Sequence, residues 1–256
     1  MKPLICLTAF LAYPMLAYPV LAETCSVPDK PGREIVKAAL FIEDNTGDED
    51  IGVHGYFDDH GWTELCVFNP AGEMVLHVKP DAQMGKLGMS EFFFESQEPG
   101  YADWNFADLK VAWPEGKYSV RGQSHDGEIL TGAALFTHNL PTPPVITAPA
   151  LVPEPEDNPP VVPVGDITVT WEPVTMTQDG QPVRLRGYQL WVNKENHEDR
   201  NGFSRPNFDV HLSADATSFV VPAAFLDPGS LYEVEVVAIE ESGNQTIGGA
   251  SYFATK

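Results

Sequence analysis

Cations are scarce in this sequence: 15 lysines and arginines face 37 aspartates and glutamates, for a net charge of −22 over 256 residues. A surface of that sign repels phosphate backbones and anionic lipid headgroups, so nucleic acid is not an expected partner. Long apolar runs are missing beyond the N-terminus, and with them any expected transmembrane segment in the rest of the chain. The motifs of covalent and metal-assisted hydrolysis are absent too: there is no G-x-S-x-G elbow, no H-E-x-x-H pair and no phosphate-cradling glycine loop. Paired carboxylates could be assembled from 37 acidic residues in so many ways that they do not point to glycoside hydrolysis. The expectation is a protein without catalytic function. Cysteine is rare as well, with three residues in all.

What the N-terminus does contain is Lys2 followed by an apolar run from Leu4 to Ala22, with small Val20 and Ala22 just before Glu23. That is the layout of a secretory signal peptide covering residues 1–22. Pro14 and Pro19 would break the hydrogen bonding of a retained membrane helix. The expected location is therefore secreted or periplasmic. Cys6 leaves with the signal, and Cys25 and Cys66 remain. An even pair in an oxidising compartment reads as one disulfide, closing a loop of about 40 residues; the alternative is two buried free thiols.

Proline is plentiful but uneven, with nine of 23 residues lying between Pro141 and Pro163. Such a stretch forms neither helix nor central strand, because each proline lacks an N–H and fixes φ. It divides the chain into domains at 23–142 and 143–256, with Val145 to Ala148 opening the second as an edge strand and Glu154 to Asn158 as an exposed acidic loop. Before it come short β-rich runs with turn signals. Asn69 to Gly72 and Asp126-Gly127 supply hairpin turns, a turn is expected at Asp59 to Gly61, and NFADLKVAW makes one short helix ended by Pro114. After it, strict alternation puts Ile167, Val169 and Trp171 on one face, then Tyr188, Leu190 and Val192, then Tyr232, Val234, Val236 and Ala238. The fold class expected is all-β, two antiparallel β-sandwich domains with one short helix in the first.

The second half resembles the fibronectin type III family. The residues that carry the likeness are Trp171 in W-x-P, Tyr188 in G-Y-x-L-x-V, Leu226 with Pro228-Gly229, and Tyr232 in Y-x-V-x-V-x-A. The resemblance implies a seven-strand sandwich with Trp171 in the core and Tyr232 at a corner near the sixth strand. The long proline-rich insert and the polar stretch Asn193 to Asn207 depart from the family pattern, and no RGD motif is present. The first half resembles an immunoglobulin-like domain of bacterial secreted proteins carrying a fibronectin-type tail, which implies no function.

Candidate chemistry centres on Glu43 to Asp50, where five carboxylates fall within eight residues around Gly47. Converging hard oxygens on a flexible loop suit Ca²⁺, and Asp44, Asp48 and Asp50 are the candidate ligands. The run fails the EF-hand template, because Glu49 stands where glycine is needed and Gly55 where the bidentate glutamate belongs. A solvated acidic turn is the other reading. His54, Asp58, Asp59 and His60 contain transition-metal ligand types but read as surface residues. Trp104 and Trp191 would favour sugar stacking if exposed on a flat face. Asn244-Gln245-Thr246 is a glycosylation sequon that also fits a hairpin. The function expected is a binding or adhesion module for a protein or surface polymer, with a carbohydrate-binding module, calcium-stabilised or not, as the alternative. No cofactor other than Ca²⁺ is suggested.

Overall fold

A computed structural model describes residues 24–195, 197, 207–249 and 251–256. The expected signal peptide lies outside these residues. The first half runs β1 (Arg33–Glu34), β2 (Lys37–Asn45), β3 (Asp50–Phe68), β4 (Met74–Val78), α1 (Ala82–Leu87), β5 (Met89–Glu95), α2 (Phe106–Ala112), β6 (Gly116–Ser124) and β7 (Ile129–Phe136). The second runs β8 (Ile146–Ala148), β9 (Val161–Val162), β10 (Ile167–Trp171), β11 (Leu185–Lys194), β12 (Asn207–Ser213), β13 (Ser218–Val221), β14 (Leu231–Glu240), β15 (Gln245–Ile247) and β16 (Ser251–Thr255). The chain is all-β in character; among the described residues its two short α-helices both lie in the first half, and a single 3-10 turn spans Ala223–Phe225 in the second. One of them, α2, is the helix expected from the sequence, started by a capping box between Asn105 and Asp108.

The organising element of the first half is β3. Its early residues pair with β2 on one side and β5 on the other, and its later residues pair with β4 and β6. The expected turn at Asp59 to Gly61 is not a chain reversal. The strand continues through it, with its register shifting between Asp58 and Glu64, and Gly61 takes φ 152° at the bend. A bulge of this kind lets one strand serve two sheets, because the extra residues rotate the pleat without breaking the strand. Strand β7 then packs across β2, and Ile42, Ile51, Phe57, Trp62, Leu65 and Phe136 fill the space between them.

In the second half β8, β10 and β13 form a three-stranded sheet. It faces a sheet ordered β12-β11-β14, which β15 and β16 extend. The alternating residues turn inward as expected: Trp171 lies 5.5 Å from Tyr188 between ring centroids, and Tyr232 stacks on Phe253 at 5.3 Å. The Tyr232 hydroxyl accepts a hydrogen bond from the Asp227 amide at 2.7 Å, the corner contact expected of such a sandwich. Tyr188 accepts likewise from Val174 N at 2.8 Å. The proline-rich stretch runs along the edge, entering as β8 and returning as β9 parallel to β16.

The two cores are distinct, yet the sheets are continuous. Strand β15 pairs in parallel with β2, placing Gln245 beside Glu43, Thr246 beside Asp44 and Ile247 beside Asn45. Asn244 is buried in this seam. Its carbonyl accepts from Ile42 N at 2.8 Å and its amide donates to Thr137 O at 2.9 Å. Thr246 donates to Pro141 O at 2.8 Å. Unlike a greased interdomain contact, the seam is a set of satisfied polar bonds with fixed directions.

Candidate metal centre and interdomain groove

Period-two alternation decides which side chains of β2 and β3 meet the core and which do not. Leu40 and Ile42 face inward with Ile51, Val53 and Phe57. The intervening residues Lys37, Phe41 and Glu43, with Gly52, His54 and Tyr56, share the opposite face. On that face His54 is nonetheless buried, flanked by the rings of Phe41 and Phe93 at 5.4 and 5.7 Å. Its Nε2 lies 3.1 Å from Glu98 Oε1 and 3.8 Å from Glu43 Oε1. The Gln245 amide donates to the other Glu43 oxygen. Gly52 makes room: a Cβ there would fall 2.5 Å from Glu98 Oε1 and 2.7 Å from Ser96 Oγ. Burial disfavours the His54 imidazolium, but the bond to Glu98 and the charge of Glu43 outweigh it and raise its pKa. Burial also raises Glu43. Asp50, desolvated and near Glu98 and Asp48, is pushed up to about 6, and Glu235, buried near Glu233, Asp48 and Glu43, to about 8.

The proposed calcium ligands are distributed differently. Asp44 turns into the seam, where its carboxylate accepts from Tyr101 Oη at 2.6 Å and Gln178 Nε2 at 2.5 Å. Asp48 stays at the exposed turn and accepts from Asn45 Nδ2 at 3.1 Å, while Asp50 opens β3. Among the described residues two sets of ligand atoms gather within 4.8 Å: those of Cys25, Glu64 and Cys66, whose sulfurs are joined as a disulfide, and those of Glu43, His54 and Glu98. Glu43 was within reach of the local pattern. Glu98 was not, because it lies 44 residues from His54 and reaches it only through the β3–β5 pairing.

The histidine and aspartate run also separates. Asp59 is buried and paired with Arg33 at 2.7 Å, whereas His60 is exposed. Cys25 and Cys66 are bonded, with Cα atoms 6.1 Å apart. Next to them Glu64 is buried and accepts from Ser26 N at 2.7 Å, Lys79 Nζ at 2.9 Å and His77 Nε2 at 3.1 Å. Burial alone would raise the Glu64 pKa; those partners hold it down to about 2. The sequon residue Asn244 has its amide committed to the seam, leaving no nitrogen open to a glycan. Trp104 is half-buried against the first core, and Trp191 is half-buried on β11.

Where the outer face of β2 and β3 meets β11, β12 and the β14–β15 turn, a groove of about 480 Å³ opens. Lys37, Arg186 and His211 line it together with Phe41 and Tyr56, and among the described residues no carboxylate does. Lys37 Nζ sits 4.2 Å from the centre of the Tyr56 ring. Gln245 reaches both the groove and Glu43. Among the described residues no helix is long and apolar enough to cross a membrane.

No protein-family model matches the chain, and no curated protein sequence does. Solved structures do. Chicken CNTN1 domains FN1–FN3 align over 88% of this chain and 65% of theirs, at 14% identity and a TM-score of 0.33. The fibronectin(III)-like modules of Clostridium thermocellum CbhA align over 89% and 92%, at 10% identity and a TM-score of 0.33. The third fibronectin III domain of human KIAA0343 protein aligns over 43% and 91%, at 19% identity and a TM-score of 0.30. The fibronectin type III-like arrangement of the second half rests on its own strand order and on the hydroxyl bonds of Tyr188 and Tyr232.

Proposed function

We propose that this chain is an exported, non-catalytic binding module that takes an anionic polysaccharide segment into the groove between its two sandwiches. The carrying observation is local charge inversion. In a protein of net charge −22, the described residues lining the groove include the cations Lys37 and Arg186 and no carboxylate. Such an arrangement focuses attraction on an acidic ligand that the rest of the surface repels, which favours docking in one place. Tyr56 and Phe41 add ring faces of the kind on which a pyranose packs. Export is supported by the N-terminal sequence and by the Cys25–Cys66 disulfide, a bond that persists in oxidising compartments.

The test is titration of the chain with uronic-acid oligosaccharides, neutral oligosaccharides and an acidic peptide of similar length. Binding is expected for the uronic-acid series, weakening with added salt and lost in Lys37→Ala/Arg186→Ala. Selective binding of the peptide would replace the polysaccharide with a protein partner. Failure of every acidic probe, or binding indifferent to the double substitution, would refute the groove as the site.

A further inference from the structure

We infer that Glu43, His54 and Glu98 form a binding site for a divalent transition metal of the zinc type. The site adjoins the groove through Phe41 and Gln245 but does not depend on the groove reading. The ligand set is one imidazole nitrogen and two carboxylate oxygens, donors that zinc accepts at bond lengths of roughly 2.0 to 2.2 Å. Two ligands at that radius on a tetrahedron stand about 3.3 Å apart. The gaps from His54 Nε2, 3.1 Å to Glu98 and 3.8 Å to Glu43, bracket that spacing, and all three ligand atoms lie within 4.8 Å of one another.

The surroundings are those of a built site. The side chains of His54, Glu43 and Glu98 are only 4%, 13% and 15% exposed, and Phe41 and Phe93 shield the imidazole. Gly52 leaves the space that the Glu98 carboxylate fills, and Gln245 anchors the Glu43 oxygen turned away from His54. The three ligands come from β2, β3 and the segment after β5, so an ion bridges three separate pieces of chain. Charge favours a dication as well. Asp50 and Glu95 add to the negative field around Glu43. Calcium is the poorer occupant, since it seeks six to eight oxygens whereas this site offers a nitrogen and two carboxylates. Three protein ligands leave a fourth position for water.

The experiment is isothermal titration of the chelator-treated chain with Zn²⁺, Mn²⁺ and Ca²⁺. One Zn²⁺ per chain is expected, tighter than Ca²⁺, with affinity falling at least about 100-fold in His54→Gln and in Glu98→Gln. His60→Gln, on an exposed histidine, is expected to bind as the unaltered chain does. Each variant is checked for folding by circular dichroism. Where one does not fold, Co²⁺ added to the unaltered chain decides, because a tetrahedral nitrogen–oxygen site gives intense visible absorption bands whereas octahedral surface binding gives only weak ones. No stoichiometric zinc, equal preference for calcium, undiminished affinity in folded His54→Gln, or octahedral cobalt alone would overturn the site. Oligosaccharide binding has a different readout, so failure of one proposal leaves the other standing.

Discussion

Glu64 is buried and accepts from Ser26, His77 and Lys79, and its role follows from where those bonds come from. Ser26 belongs to the N-terminal segment beside Cys25, whereas His77 and Lys79 come from the end of β4, so one carboxylate and one disulfide clamp the same junction. Because its pKa in the folded chain, about 2, lies below the ordinary 4.5, its contribution is complete above pH 4.5 and drains as the pH falls toward 2. Glu64→Gln is expected to cost on the order of 2–3 kcal/mol at pH 7 and to flatten the acid limb of the stability curve, as read by urea midpoints across that range. Reducing the disulfide, which spans 41 residues, is expected to remove roughly 4 kcal/mol, measured as the midpoint shift with and without reductant. The pairing of Cys25 with Cys66 was readable from cysteine parity and compartment. The clamp was not, since nothing near Glu64 in sequence announces Ser26 as its partner. The same limit applies to the acidic loop: composition marked Glu43 to Asp50 as rich in ligands, but only the pleat decides that Asp44 turns inward and Glu43 toward His54.

Among the elements, those with one face buried and uniform spacing were legible, and the ones that change partners were not. Strands β10, β11 and β14 keep their alternation, with register shifts only at Thr170/Trp171 and Leu185/Gly187 near strand ends, so Trp171, Tyr188 and Tyr232 could be placed between layers before any coordinates. Strand β3 alternates twice with a shift between, and the shift looks like a turn because Asp59, His60 and Gly61 have turn chemistry. Pairing with β5 on one edge and β6 on the other, which meet at Trp62, keeps the backbone extended there. At the corner before β14, Tyr232→Phe is expected to orphan the Asp227 amide at a cost of about 1–3 kcal/mol, measured by chemical denaturation. A change below about 0.5 kcal/mol would mean that water satisfies that amide equally well.

At the scale of the molecule, the seam decides whether the groove and the metal centre have a fixed geometry. Groove walls come from both sandwiches, so a hinge between them would open and close the site, whereas a shared sheet holds it in one shape. Proline punctuation predicted a linker and therefore suggested independent domains; the chain after that linker returns as β15 and completes a ladder with β2. Asn244 is the keystone by position, since it touches β2 through Ile42 and the end of the first half through Thr137 and Asn139. Replacing its amide with a carboxylate in Asn244→Asp removes the donors and sets negative charge against the Thr137 and Asn139 carbonyls. The cost expected is on the order of 2–4 kcal/mol, borne entirely by the seam because neither core contains the residue. Calorimetry of the unaltered chain should show one cooperative transition, and the variant should show two, with the second sandwich melting apart from the first. A single unsplit transition at an unchanged temperature in the variant would mean that the strand pairing alone couples the domains. The buried amide would then set only the register of β15 against β2.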